Sequence, residues 1–368
     1  MAAINEVKHT SDTESIDKEL EEMLNKQSAR VKVIGIGGAG NNTLSRMREV
    51  GIRGGEIIAI NTDAQDLLYT NADYKILIGK EISKGLGAGS NPRIGAEAAK
   101  ESAQEIKKKL EDADMVFITC GLGGGTGTGA APVVADIAKK QGSLTIGVVT
   151  LPFTVEGKKR IENAMEGLER LEGLVDTLIV IPNDKLLELA PDLPITTAFK
   201  VADEILTNSV KGITELVTKS GLVNLDFADV KAVMSNGGVS LIGLGESDGK
   251  QRALEAVEKA INNPLLDVDI TNATGALINV MGGENLSLDE YKEVVEYIGN
   301  KISSEAKIIA GAQISKDLEN TVKVMVIITG VKSSQMIGEH KSYSELKRQE
   351  MENELGIEVI DGEEEQSF

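Results

Sequence analysis

Apolar residues along this chain follow two periods. Short, nearly unbroken runs occur at Val31–Ile36, Glu56–Ile60, Lys75–Ile78, Met115–Thr119, Leu144–Thr150 and Thr177–Ile181. Such runs suit strands covered on both faces, as in a parallel sheet. Between them apolar positions recur every three or four residues. Leu44, Met47 and Val50 mark one helix, the small and apolar positions of 94–110 a second that packs closely, and Ile161, Ala164, Met165, Leu168 and Leu171 a third. Repeated strand, loop and helix predict a Rossmann-like half ending near residue 195.

A long helical pattern then runs from about Thr197 to Thr218, carried by Phe199, Ala202, Ile205, Val210, Ile213, Leu216 and Val217. Its place between two α/β regions makes it a candidate spine. Beyond it, strand-like segments at Val239–Leu244, Ala276–Val280, Ile308–Ile314 and Val322–Ile328 predict a second, compact sheet. Ser287 with Glu290 three residues on forms a capping box for a helix over 288–302. The ends differ in character. Residues 1–29 are polar and charged, with a weak helical signal at Leu20, Met23 and Leu24. After about Ser333 the chain turns polar and basic before closing in ELGIEVIDGEEEQSF.

Composition narrows the chemistry. The 368 residues are 41% hydrophobic, which is enough for two cores, and carry a formal charge of -19. That acidity opposes nucleic acid and anionic membrane as partners. One cysteine rules out an internal disulfide framework, and only His9 and His340 stand against a histidine-based metal site or a Ser-His-Asp triad. Cys120 follows a buried run with no histidine near it, so it reads as a packing residue. No apolar stretch is long enough to cross a membrane, and the expectation is a cytoplasmic protein.

Glycine is the anomaly, with 39 residues gathered into a few loops. Gly35, Gly37 and Gly40 fit G-x-G-x-x-G between a strand and a helix, and Asp63 lies where a ribose-binding acid sits in dinucleotide sites. Those residues alone leave open a dinucleotide, another nucleotide or a tight turn. The loop GLGGGTGTG at 121–129 holds six glycines in nine residues, and Thr126 and Thr128 add hydroxyls. Amides unshielded by side chains form an anion nest, reinforced by the following helix N-terminus. With GLGAG at 85–89, three loops converge, more than one pyrophosphate needs. No P-loop lysine motif exists, since Lys80 lacks the hydroxyl neighbour, so amides, hydroxyls and a divalent cation are expected to hold the phosphates.

GIGGAGNN, NTDAQ, GLGAGSNP, GLGGGTGTGAAPV, PFTVEGKKR, IPNDKL, AFKVADE and GLVNLDFADVK, in order over about residues 30–331, together resemble the FtsZ family of tubulin-like cell-division GTPases in its archaeal form. The resemblance implies a parallel-sheet GTPase domain at 30–196, a central helix at 197–220, a catalytic loop with a smaller mixed-sheet α/β domain at 221–332, and a tail at 333–368. It also implies a GTP-hydrolysing, head-to-tail polymer of the cytoplasm, concentrated in a midcell ring, with Mg2+ bound mainly through GTP phosphates and water. Gly38, Ala39, Gly40, Asn41 and Asn42 match the first nucleotide loop. Gly125, Thr126, Gly127 and Thr128 match the principal phosphate loop, and Ala88 and Gly89 would approach the terminal phosphate. Glu156 and Arg160 match sugar and nucleotide contacts; Asn183, Phe199 and Asp203 match the base pocket. Asp203 departs from the asparagine of many bacterial members, yet a carboxylate accepts from both guanine donors.

Asn224, Asp226 and Asp229 match the loop that acts on the neighbouring subunit's GTP. Taken locally, Asp226 and Asp229 also suit helix capping, Glu156 with Arg160 an ion pair, Phe199 a core residue and Asp203 a solvated helix face. Leu355, Ile357, Val359 and Ile360 resemble a short tail that docks a membrane-associated division adaptor, without direct membrane insertion; an unengaged tail is the plain alternative. Other readings are an NAD-type oxidoreductase, a GTP-binding filament that hydrolyses poorly and a tubulin-like shape-control protein.

Overall fold

A computed structural model describes residues 29–52, 54–185, 195–218, 223, 226–235, 237–262 and 270–331. The N-terminal arm through residue 28, the tail from 332, Asn224 and the segment 186–194 lie outside the described residues.

The predicted strands form, with small shifts at their ends. They are β1 (Val31–Ile36), β2 (Gly55–Asn61), β3 (Tyr74–Leu77), β4 (Met115–Gly121), β5 (Leu144–Leu151), β6 (Thr177–Pro182), β7 (Gly238–Ser247), β8 (Gly275–Gly282), β9 (Lys307–Ile314) and β10 (Val322–Thr329). Together they make one ten-stranded sheet in the order β3-β2-β1-β4-β5-β6-β7-β10-β8-β9. The first six are parallel, and β1 pairs with both β2 and β4. Strand order therefore reverses between β1 and β4, which opens a crevice at the carboxyl ends of the two strands. The sequence predicts two sheets, but the structure joins them. Three register pairs, Thr177 with Gly238 through Ile179 with Ser240, link β6 to β7 in parallel. β10 then runs antiparallel to β7 and β8.

Helices cover both faces, and strand residues alternate between them. On one face Ile34, Ile36, Val116, Ile118 and Cys120 pack under α3 (Pro92–Glu101), α4 (Ala103–Leu110), α5 (Thr126–Lys140) and α6 (Lys158–Glu172). Farther along that face lie α9 (Arg252–Ile261) and α10 (Leu288–Gly299). On the other, Val31, Val33, Met115 and Phe117 meet α1 (Gly37–Val50), α2 (Ala64–Tyr69), α7 (Ile195–Thr218) and α8 (Phe227–Met234). α7 touches both halves of the sheet: Val210 and Ile213 share a core with Ile146 of β5 and Met325 of β10. Gly212 lets β10 approach, since a methyl group there would lie 2.5 Å from the Met325 Sδ.

The long helix expected over 94–110 is broken at Ser102, whose φ of -96° and ψ of 14° leave the helical range. The Ser102 Oγ accepts the Gly79 amide instead. The close packing read from its small residues is real. A methyl at Gly95 would stand 2.3 Å from the Gly125 carbonyl oxygen, and one at Gly129 would stand 1.9 Å from that of Pro92. Backbone meets backbone where α3 crosses α5, so neither contact yields to a rotamer change. Gly129→Ala is expected to lower unfolding free energy by about 1–3 kcal/mol, the range for overpacking. Urea unfolding measures this, with a shifted midpoint and an unchanged slope.

Candidate nucleotide-binding site

The crevice is a cavity of about 630 Å³ floored by strand ends. Ile36 of β1, Asn61 of β2, Gly121 of β4, Thr150 of β5 and Asn183 just after β6 all line it. α1 begins at Gly37 and α5 at Thr126, and neither has an acid in its first turn. These two N-termini meet. A methyl on Gly37 would lie 3.0 Å from the Gly127 amide nitrogen, and Gly37 has φ of +71°, so only glycine fits comfortably. Two uncompensated helix starts facing one cavity make it favourable to anions.

Gly38, Ala39, Asp63, Gly125, Thr126, Gly127, Glu156, Arg160, Asn183, Phe199 and Asp203, all singled out in the sequence, line this cavity. Gly40, Asn41, Asn42, Ala88, Gly89 and Thr128 stand behind or beside its wall, with identifiable roles for several. Gly40 lets α1 approach β4, because a methyl there would meet the Thr119 carbonyl at 2.5 Å. The Thr128 hydroxyl accepts the Gly123 amide at 2.9 Å and so shapes the glycine loop from within. Ala88 packs beneath Gly125. Asn41 is buried, and neither of its amide atoms has a partner.

The charged wall residues are already engaged. Asp63 caps α2, its Oδ1 accepting from the Gln65 and Asp66 amides at 2.9 and 3.1 Å, and Asp66 accepts from Asn61 Nδ2 at 2.6 Å. Glu156 accepts the Phe153 amide at 2.9 Å and pairs with Arg160, which is the plain ion-pair reading, and both residues line the cavity. Arg160 is the single cation among the lining residues, against Asp63, Asp66, Glu156 and Asp203. Opposite the loops, Phe199 stacks edge-on to Phe153 at 5.2 Å and stays 42% exposed, leaving an aromatic surface free. The Asn183 Oδ1 has no partner. Asp203 accepts from the Thr43 hydroxyl at 2.9 Å. Burial pushes the Asp203 carboxyl above its ordinary range, and the Thr43 hydrogen bond and the Arg46 charge oppose that rise. Cys120 is buried with its thiol pushed up to about 12, as a packing residue should be.

Sequence reasoning passed over several wall residues. Asn61 and Asp66 flank the quoted Asp63. Ala202 and Leu206 share its helix face with Asp203 and Phe199, and the i, i+3, i+4 spacing was the available signal. Thr150 and Pro152 follow a strand whose end alone would not reveal them.

Two family patterns match this chain: the Tubulin/FtsZ family GTPase domain at residues 30–191 and the FtsZ family C-terminal domain at residues 238–332. The chain belongs to the FtsZ family. It is thus a tubulin-like GTPase, a class that binds GTP and GDP. Among relatives, Cell division protein FtsZ 1 of Methanocaldococcus jannaschii is 63% identical over 317 residues, 86% of this chain and 87% of that protein. Cell division protein FtsZ 1 of Pyrococcus furiosus is 59% identical, over 93% of this chain and 92% of that protein. A solved FtsZ dimer from M. jannaschii superposes with a TM-score of 0.83 at 62% identity, over 86% of this chain and 93% of the other. CetZ2 from Haloferax volcanii, solved as a GTPgS-bound protofilament, shares the fold at 21% identity, with a TM-score of 0.74 over 89% of this chain and 100% of that one.

Two glycines of the phosphate loop separate packing from binding. A methyl on Gly127 would press on the Gly121 and Ile36 carbonyls at 2.8 and 3.3 Å, whereas one on Gly124, which lines the cavity, meets nothing within 4 Å. Gly124→Val should therefore abolish most nucleotide affinity with little change in melting temperature, and Gly127→Val should lower both. Calorimetric titration and thermal melts on the same samples check this.

Proposed function

We propose that this chain binds GTP in the cavity, assembles head to tail with copies of itself, and hydrolyses GTP only where one copy's α8 loop covers the next copy's nucleotide. The observation that carries this reading is the placement of Asp226 and Asp229. Both are exposed at the start of α8, with the Asp229 carboxylate accepting the Asp226 amide at 3.4 Å. The C-terminal end of α8 sits at the amino edge of the sheet. The Thr177 hydroxyl donates to Met234, and the charge of Lys231 reaches Asp114 at the start of β4. From Asp203 on the cavity wall to Thr218 at the end of α7 is 15 helical residues, about 22 Å at the usual rise. These contacts and this length support a reading in which the aspartates and the cavity of one molecule lie at opposite ends. Their use in catalysis needs a second copy, as in the dimer and protofilament of the related structures.

In this arrangement the loop amides and the two helix starts hold the phosphates, and Phe199 and Asp203 hold the guanine. Asp226 and Asp229 orient and polarise the attacking water, with Asn224 shaping the junction. Magnesium fits the wall: the carboxylates of Asp63 and Asp66 are the hard oxygen donors it takes, directly or through water. Among the described residues no group of three or more His, Cys, Asp or Glu could hold a metal by itself, so the phosphates would supply much of its coordination. Bound there, it supplies positive charge against the phosphates. As proposed, these polymers build the cytoplasmic division ring at midcell. The tail segment carrying Leu355, Ile357, Val359 and Ile360 would tether them to a membrane-associated adaptor. No helix among the described residues is long and apolar enough to cross a membrane.

Mixing two variants tests the shared site. Asp226→Ala should bind GTP and assemble but turn over slowly, and Gly124→Val should fail to bind nucleotide. If the two co-assemble, a fraction of junctions combines intact halves, and phosphate release should exceed the sum of the separate rates. Equal rates for isolated monomers and polymers would overturn the reading.

Asp203 gives a second test through pH. Guanine's N1–H and amine are both donors and pair best with an ionised carboxylate, and burial raises the Asp203 pKa in the free protein. Protons therefore compete with the base, and affinity should fall as pH drops through the raised pKa. Asp203→Asn should flatten that slope. Asp203→Ala should weaken discrimination of GTP over ATP by roughly 1–3 kcal/mol, the cost of unpaired base donors. Competition binding measures both.

A further inference from the structure

Thr62 lies beneath the phosphate loop with no exposed surface, at the turn that follows β2. Its hydroxyl is 2.6 Å from the hydroxyl of Thr126, the first residue of α5 and part of the cavity wall. Distance alone leaves the donor unassigned, and burial decides it. A hydroxyl carries one proton, and a buried one needs an acceptor. The Thr62 oxygen has no other partner, so if Thr126 donated, the Thr62 proton would be stranded inside the protein. Thr126 is partly exposed to the cavity and has somewhere else to send its own proton.

We infer that Thr62 is a positioning residue: it donates to Thr126, fixes the Thr126 oxygen as acceptor, and leaves the Thr126 proton aimed into the cavity for a phosphate oxygen. The inference rests on the cavity's being the GTP site. Hydroxyls linked in this way polarise one another, which strengthens the outer bond to an anion.

The rest of the turn holds Thr62 in place. Its amide donates to Asn61 Oδ1 at 2.9 Å, and its carbonyl accepts from the Ser83 hydroxyl and the Gly87 amide, both at 3.1 Å. Asn61 is in turn held by Asp66. The second glycine-rich loop, through Gly87, and the phosphate loop, through Thr126, therefore share one residue that itself does not line the cavity. Gly38 completes this corner, lying over the Asp66 carboxylate.

A double-mutant cycle separates this role from ordinary packing. Thr62→Val keeps the shape and removes the donor; Thr62→Ser keeps the donor. Affinities for a non-hydrolysable GTP analogue are measured for the parent, Thr62→Val, Thr62→Ser, Thr126→Val and the Thr62→Val, Thr126→Val pair, with melting temperatures alongside. We expect Thr62→Val to weaken binding about tenfold, equivalent to about 1.4 kcal/mol, with Thr62→Ser near the parent. In the Thr126→Val background, Thr62→Val should change affinity less than twofold, because its only route to the ligand is gone. Independent, multiplying losses would overturn the inference, as would loss of binding in Thr62→Ser equal to that in Thr62→Val. Should Thr62→Val fail to fold, Thr62→Ala gives the same comparison. A parent that does not bind the analogue would instead refute the site assignment, so the two failures are distinct.

Discussion

Two helix N-termini meet at the mouth of the sheet, and the rest of the site is built around that contact. Each helix start carries roughly half a unit of positive charge, and α1 and α5 present theirs to the same few ångströms with no acid in either first turn. Brought together in an empty site, such charges repel. The contact between Gly37 and Gly127 is possible because neither carries a side chain, and an anion bound in the cavity would offset the repulsion. Of the four acids on the wall, the two at the start of α2, its cap Asp63 and Asp66, are occupied in capping and loop bonds. The glycine content follows from this geometry: α5 must also lie against α3 at Gly129 and against the strand ends at Gly127.

Much of this was legible in the sequence because it rests on local rules. Runs of β-branched residues marked the strands of the parallel sheet, and six glycines in nine residues marked an anion nest. The misses have physical causes. α2 is six residues long and follows a strand directly, too short for a period to show. The break at Ser102 coincides with a hydrogen bond from the amide of Gly79, more than twenty residues away. Joining the two sheets at β6 and β7 is a long-range pairing of three residues, invisible to periodicity. Within the site, the sequence placed Thr128 with the ligand contacts, whereas its hydroxyl is turned inward to the Gly123 amide. Spacing shows which loop a residue belongs to but not which way its side chain turns.

Several groups serve the fold and the site at once. Glu156 tethers Phe153, the ring that steadies Phe199, while holding Arg160 at the cavity rim. Asp229 tightens the first turn of α8 and remains exposed. The local reading as a cap and the functional one are compatible, because a carboxylate held in a fixed turn is pre-aimed for what it meets.

α7 is also a mechanical element. Asp203, near its start, lies on the cavity wall, and farther along Val210 and Ile213 reach strands from both halves of the sheet. Along this path a pull on one end is carried by a single rod of stacked peptide hydrogen bonds. The neighbouring load path crosses the sheet at the three-pair seam between β6 and β7. The seam has three register pairs, against six between β5 and β6 and eight between β7 and β10, so shear of one half of the sheet against the other would act there before it lengthened the helix. The sheet can flex there while α7 keeps its length, which gives the molecule one stiff axis and one compliant one.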